Sequence, residues 1–216
     1  MKAGPLLHES LDFTLLHWDK LFGVALTTYL PFLSASLLLG AETSAGILVT
    51  FVGFQIVSAS IHLVIWRMLR SEAFNPAGDV QSVAARVFPL TALGVLVSLL
   101  VMLGLFALIV PGIYLMGALL MVTPVYLFEG NALRAPARSW DLTETHRWEL
   151  FSAITVAALL ILTGAYLAHR FANTLGVASS VSLLLDTTLN MIVLVFAAVF
   201  TMRVYTQLAP QNPPRR

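Results

Sequence analysis

From Val87 to Phe128 the chain carries no charged residue and almost no strongly polar one. A stretch of roughly 40 apolar residues is too long for one bilayer crossing and right for two. Pro111-Gly112 divides it near its middle, and a Pro-Gly pair favours a tight turn with proline in the first turn of the next helix. The expected helices are therefore 90–110 and 113–128, joined by a minimal hairpin. The same reading finds further apolar blocks at 21–40, 47–66, 150–168 and 181–202, each near the length a transmembrane helix needs. A membrane barrel would instead show short alternating segments. In lipid, the backbone must satisfy its own hydrogen bonds within the segment, which leaves helices. The expected fold is all-α: one integral membrane domain over residues 1–216, a polytopic bundle of six transmembrane helices with amphipathic helices at its cytoplasmic interface.

Composition agrees with this. Of the 216 residues, 58% are hydrophobic and 11% charged, against roughly a quarter charged in soluble domains. There are no cysteines, which removes disulfides, thiolate metal sites and thiol nucleophiles together. A cleavable leader is not expected: Ser34-Ala35-Ser36 mimics a cleavage site, but Glu9, Asp12 and Asp19 spoil the basic region that should precede it.

The charges give the orientation. Lys2, Lys20, Arg67, Arg70, Arg86, Arg134, Arg138, Arg147, Arg203, Arg215 and Arg216 fall on the side shared by the termini and the even-numbered links, and only Arg170 falls on the other. Basic residues stay cytoplasmic, so both termini are expected inside. Trp18, Trp66, Trp140 and Trp148 all fall at the same side of the predicted spans, where amphipathic rings prefer to sit.

An internal repeat is visible at an offset of 129 residues. The segment from Ser10 to Phe22 aligns without gaps over Ser139 to Phe151, with Ser, Asp, Thr, His, Leu and Phe identical. Each copy reads as an interfacial helix turning into a span. Asp79 to Val87 holds the equivalent place before the third span, with a poorer match. Repeats of this kind can meet at a central transport site or simply build a stable bundle.

Polar residues inside lipid need a reason. On the second span Gln55, Ser58 and His62 share a helical face, and on the sixth Asp186 and Asn190 do. A polar seam of Gln55, Ser58, Asp186 and Asn190 between these spans would suit a transporter or channel for a small solute or lipid. The alternative is helix–helix glue, at about 0.6 kcal/mol per hydrogen bond. Arg170 is the candidate outer ion-pair partner of Asp186. His62 reads as interfacial. Arg134 and Arg138, beside Glu129, are candidate contacts for anionic lipid headgroups, or ordinary inside-positive topology. Ala153/Ala157 and Gly164/Ala168 give small-xxx-small spacings that serve internal packing or a homo-oligomer equally. No catalytic motif is present: no H-E-x-x-H, P-loop, G-x-S-x-G or dinucleotide fingerprint. The five histidines have no metal-ligand spacing, no cofactor is implied, and scattered basic residues along one membrane face do not suggest nucleic acid.

The run Pro111-Gly112-Ile113-Tyr114, Pro124, Glu129, Ala132-Leu133, Ser139-Trp140-Asp141-Leu142-Thr143 and Trp148 resembles the YciC-type bacterial inner-membrane proteins. It is also similar to the membrane portion of membrane-anchored glycerophosphoryl diester phosphodiesterases. The match covers about 111–151. Where that pattern carries a glycine after the threonine turn, this chain has Thr145-His146-Arg147. The resemblance implies six membrane helices and residence in the bacterial inner membrane, with a suspected role in the cell envelope. It does not imply phosphodiesterase chemistry, which belongs to a separate soluble domain. The expected function is that of a non-enzymatic envelope protein, a scaffold or partner for other membrane proteins or lipids.

Overall fold

A computed structural model describes residues 3–40, 43–174 and 179–209, with side chains at all of these except 3, 157–158, 161–162, 165, 168–169, 171–173 and 179–186. Among the described residues every regular element is helical. The order is α1 (Ala3–Leu16), α2 (Trp18–Leu39), α3 (Ser44–Leu69), α4 (Pro76–Ala84), α5 (Val87–Ala107), α6 (Ile109–Ala118), α7 (Val122–Glu129), α8 (Ala135–Thr143), α9 (Arg147–Thr174) and α10 (Ser179–Leu208). A 3-10 turn, Glu144–His146, links α8 to α9. Five stretches are long and apolar enough to cross a membrane: α2, α3, α5, the Ile109–Glu129 stretch made of α6 and α7, and Thr187–Leu208 of α10. The predicted fifth span lies in α9, a helix of 28 residues.

α3 is the centre of the bundle. It packs against α2, α4, α5, α7 and α10, and its second half is buried all round, from Ile56 and Val57 through Ala59, Ser60, Ile61 and His62 to Val64 and Ile65. A helix apolar on every face belongs inside. α5 is the opposite case. Only Leu90, Leu93 and Gly104 are buried on it, while Leu99, Leu103 and Phe106 stand outward. Lipid tails solvate such side chains as well as a protein core does.

Three short helices hold the same place. α1, α4 and α8 each bury a pair four residues apart: Ser10 and Thr14, Asp79 and Val83, Ser139 and Thr143. The first member of each pair lies eight residues before the start of the long helix that follows, at Trp18, Val87 and Arg147. Four-residue spacing puts each pair on one helical face. Each of these helices rests on an earlier or later part of the bundle: α1 on α10 at the far end of the chain, α4 on the preceding α3, and α8 on the preceding α6 and α7.

The α5–α6 hairpin turns three residues earlier than Pro111-Gly112 suggests. Leu108 is extended, at φ −167° and ψ 148°, and α6 begins at Ile109. Pro111 then sits in the first turn, where its missing N–H costs nothing. Gly112 is needed for contact instead. A Cβ on Gly104 would come within 2.9 Å of the Gly112 Cα, so two glycines let the helices meet directly behind a one-residue turn. The predicted helix 113–128 is itself broken, since α6 ends at Ala118 and α7 starts at Val122. Pro124 explains the break, because it has no N–H for the carbonyl four residues back, at Leu120. Finally, α9 runs on to Thr174, into the 169–180 region expected to be a linker.

Candidate functional site at the charged end of the bundle

The C-terminal ends of α3, α7 and α10 converge. The Trp66 and Phe128 rings stack at 4.5 Å between centroids, and Phe128 stacks on Tyr205 at 5.7 Å. Arg70 lies over the Trp66 ring at 4.2 Å, a cation–π contact that suits an arginine at a membrane boundary. Arg86 donates from Nη1 to the Leu127 carbonyl at 3.2 Å, satisfying one of the carbonyls left open in the last turn of α7. The short helices are tied to the same end. Arg67 Nε donates to Asp79 Oδ1 at 2.8 Å, and Arg203 lies 4.7 Å from the Phe13 ring centre. Arg147 donates to the Tyr114 hydroxyl and to the Trp140 carbonyl, both at 3.0 Å, and covers the Trp140 ring at 4.2 Å. Charged and aromatic side chains from α1, α3, α4, α7, α8 and α10 thus gather at one end.

Glu129, the last residue of α7, is the anchor of a pocket there. Its carboxylate accepts from Arg138 Nε at 3.2 Å and from the Tyr205 hydroxyl at 3.5 Å. Below that pair a cavity of about 440 Å³ is lined by Val125, Glu129, Asn131, Arg134, Arg138 and Asp141, among others. Asn131 builds its rim: its Oδ1 accepts from the Arg134 N–H at 3.2 Å, closing the turn before α8. Proline inside the first turn then starts the helix. Two arginines and two carboxylates face the same space, so the pocket is formally neutral. Arg138 is committed to Glu129. The Arg134 guanidinium has no partner among the described residues and is exposed. Such a pocket suits a molecule that carries its own phosphate or carboxylate, with or without an amine for Asp141.

α8 reaches the break between α6 and α7 from this side. Ser139 Oγ donates to the Ala118 carbonyl at 2.8 Å and accepts from the Met121 N–H at 3.2 Å. Thr143 Oγ1 adds a 3.4 Å contact to the same carbonyl. One hydroxyl therefore takes up backbone groups on both sides of the interruption. Non-helical backbone at membrane depth is tolerated where protein satisfies it.

The residues singled out in the sequence separate as follows. Arg134 and Arg138 share the pocket just described. Gln55 and Ser58 share a groove, but with α5, α6 and α7, not with α10. Asn190 is exposed on α10 and is not among the groove's lining residues, so the structure does not bring Gln55, Ser58 and Asn190 into one seam. Helical geometry is the reason: the face of α3 that carries Gln55 and Ser58 points at α5. The side chain of Asp186 lies outside the described residues, so its pairing with Arg170, which is exposed, does too. His62 is packed inside the bundle at 3% exposure, with Nδ1 2.6 Å from the Ser58 carbonyl. Sequence reasoning missed Asp141 as a pocket residue, Tyr205 as a partner of Glu129, and the bridging role of Ser139. Pro124 was the available sign of a break that something had to cap.

The fold and the charged end define a multi-pass helical membrane protein. No protein-family model, no curated protein and no solved structure matches the chain.

Proposed function

We propose that the chain is a non-enzymatic scaffold of the bacterial inner membrane, with six spans, both termini cytoplasmic, and its charged end engaging phospholipid headgroups and membrane partners. The positive-inside distribution supports the orientation, and the length and apolar sequence of α9 support a sixth span. The equal register of α1, α4 and α8 supports three repeated units, each an interfacial helix followed by a hairpin. Kinship with the YciC-type proteins rests on the residues of 111–151.

The observation that carries the headgroup reading is the mixed-charge pocket with Arg134 unpartnered at its mouth. A phosphate meets Arg134 there, and an amine meets Asp141. The test is lipid retention by the purified full chain, measured by native mass spectrometry in mixed phosphatidylethanolamine and phosphatidylglycerol. Arg134→Gln is expected to lower retention about fivefold, the equivalent of the ~1 kcal/mol that one basic residue contributes near a headgroup layer. A larger loss with phosphatidylglycerol identifies an anionic ligand. A larger loss with phosphatidylethanolamine identifies a zwitterionic one. Unchanged retention of both overturns the headgroup reading.

A further inference from the structure

A second site lies in the membrane-spanning part, away from the charged end. The break between α6 and α7 opens beside a groove of about 330 Å³ between α3, α5 and those two helices. Four of its lining side chains are polar: Gln55 and Ser58 from α3, Ser98 from α5 and Thr123 from α7. None of the four side chains makes a hydrogen bond among the described residues. Other hydroxyls are unpaired too, Ser60 and Thr91 among them, but those are enclosed, whereas these three open on one groove. Elsewhere in the chain Thr27, Ser34, Thr50, Ser152 and Thr155 all bond back to their own helices. Gly94 makes the groove deep enough for the amide, since a Cβ there would overlap the Gln55 carboxamide. Leu120, also on the wall, has a carbonyl that Pro124 cannot serve.

Depth and charge narrow the ligand. Gln55 and Ser58 lie twelve and nine residues before Arg67, about 18 and 14 Å along the helix at 1.5 Å per residue. In a hydrocarbon layer of about 30 Å this is near the midplane. No charged residue lines the groove, so an ion has nothing to neutralise it there. A partner helix, about 10–12 Å across with its side chains, is too thick for so small a groove. What remains is a molecule already dissolved in the bilayer, with oxygens that accept from hydroxyls and an amide. Phe54 and Met116 at the rim are exposed, so such a molecule enters sideways from the lipid.

We propose that this groove binds an uncharged, lipid-soluble amphiphile bearing carbonyl oxygens, of the diacylglycerol or quinone kind, held by Gln55, Ser58, Ser98 and Thr123. The carbonyls accept from Gln55 and the hydroxyls, and the free hydroxyl of a diacylglycerol would also donate to the Leu120 carbonyl. The unpaired donors of the groove then find partners in its occupant, as polar groups facing lipid require. The site is independent of the headgroup pocket and would stand if Arg134 proved irrelevant.

The experiment is photo-crosslinking of the full chain in nanodiscs, with peptide mapping. The probes are a photoreactive diacylglycerol, a photoreactive quinone with a short tail, and an oxygen-free hydrocarbon carrying the same photoreactive group. The expected result is labelling of the segments holding Ser98 and Met116–Thr123, competed by unlabelled diacylglycerol or quinone and absent with the hydrocarbon. The stronger competitor tells which of the two it is. Gln55→Met with Ser58→Ala keeps the shape and removes two donors, and should lower labelling roughly five- to tenfold. Ser98→Ala, at an exposed position that cannot unfold the bundle, should lower it about threefold. Equal labelling by the hydrocarbon, or labelling unchanged in both variants, overturns the proposal.

Discussion

α1 and α8 present the same pair of residues in the same register, yet the two serines act differently. Ser10 donates to the Leu6 carbonyl at 2.7 Å, within its own helix. Ser139 donates to Ala118 and accepts from Met121, both on another part of the chain. The difference lies in what each helix rests on. α1 rests on α10, whose backbone is continuous from Ser179 to Leu208, so Ser10 finds no open backbone group there and bonds to its own turn. α8 rests on the interruption before Pro124, where Ala118 and Met121 need partners. α4 is a third solution. It places Asp79 where the others have serine and fixes it to Arg67 of α3. A shared position therefore fixes which face is buried, and the neighbouring backbone decides what that face does.

Three experiments break or sharpen this comparison. The largest effect is expected at α4. Arg67→Ala leaves the Asp79 carboxylate, 3% exposed on its side chain, without its main partner and should cost about 3 kcal/mol, the low end for a buried pair because Arg67 is partly exposed. Unfolding in mild detergent reads this. The double variant Arg67→Ala with Asp79→Leu should regain most of the loss, and failure to do so would show that the pair does not tie α4 to α3.

The next effect separates α8 from α1. Ser139→Ala strands the Met121 N–H, leaves the Ala118 carbonyl only its 3.4 Å contact with Thr143, and should cost about 1–3 kcal/mol. Ser10→Ala removes a bond whose acceptor already serves the helix, and should cost under about 0.5 kcal/mol. Equal costs would mean that the bridge across the break contributes nothing.

The smallest effect is the most telling. Pro124→Ala restores an N–H for the Leu120 carbonyl. In that background Ser139→Ala should cost no more than Ser10→Ala does in the parent, a non-additivity of about 1 kcal/mol in a double-mutant cycle. Full additivity would show that Pro124 is not the cause of the break.

Much of the frame was legible in the residues. Runs near 20 apolar residues mark spans because the bilayer forbids open backbone, and α2, α3, α5 and α10 fall where those runs lie. The Ser10/Ser139 alignment was legible because the two copies kept identical side chains at the buried positions. The α4 copy was only faintly so, since Asp79 and Val83 solve the same packing with different chemistry. Helix ends were read less well. Pro111 marks a first turn and not the turn itself, so Leu108 could not be picked out without the Gly104–Gly112 contact. Facing was hardest. Gln55, Ser58 and Asn190 each lie on a polar face, but which helix a face meets depends on how the bundle rotates each helix, and a single sequence does not carry that rotation.

The seating of α1 on α10 has a consequence for how the molecule is made. α4 meets α3 and α8 meets α7 across a few intervening residues, so both can settle as soon as they emerge from the ribosome. α1 must wait for nearly the whole chain. Its contact has the largest sequence separation in the bundle, and contacts of that kind form late. Until α10 arrives, the side of α1 that carries Leu6 and Phe13 lacks its main partner and has only its smaller contacts with α2 and α9. A chain stalled before α10 would keep that side partly uncovered, which gives quality-control proteases a simple way to tell unfinished copies from finished ones.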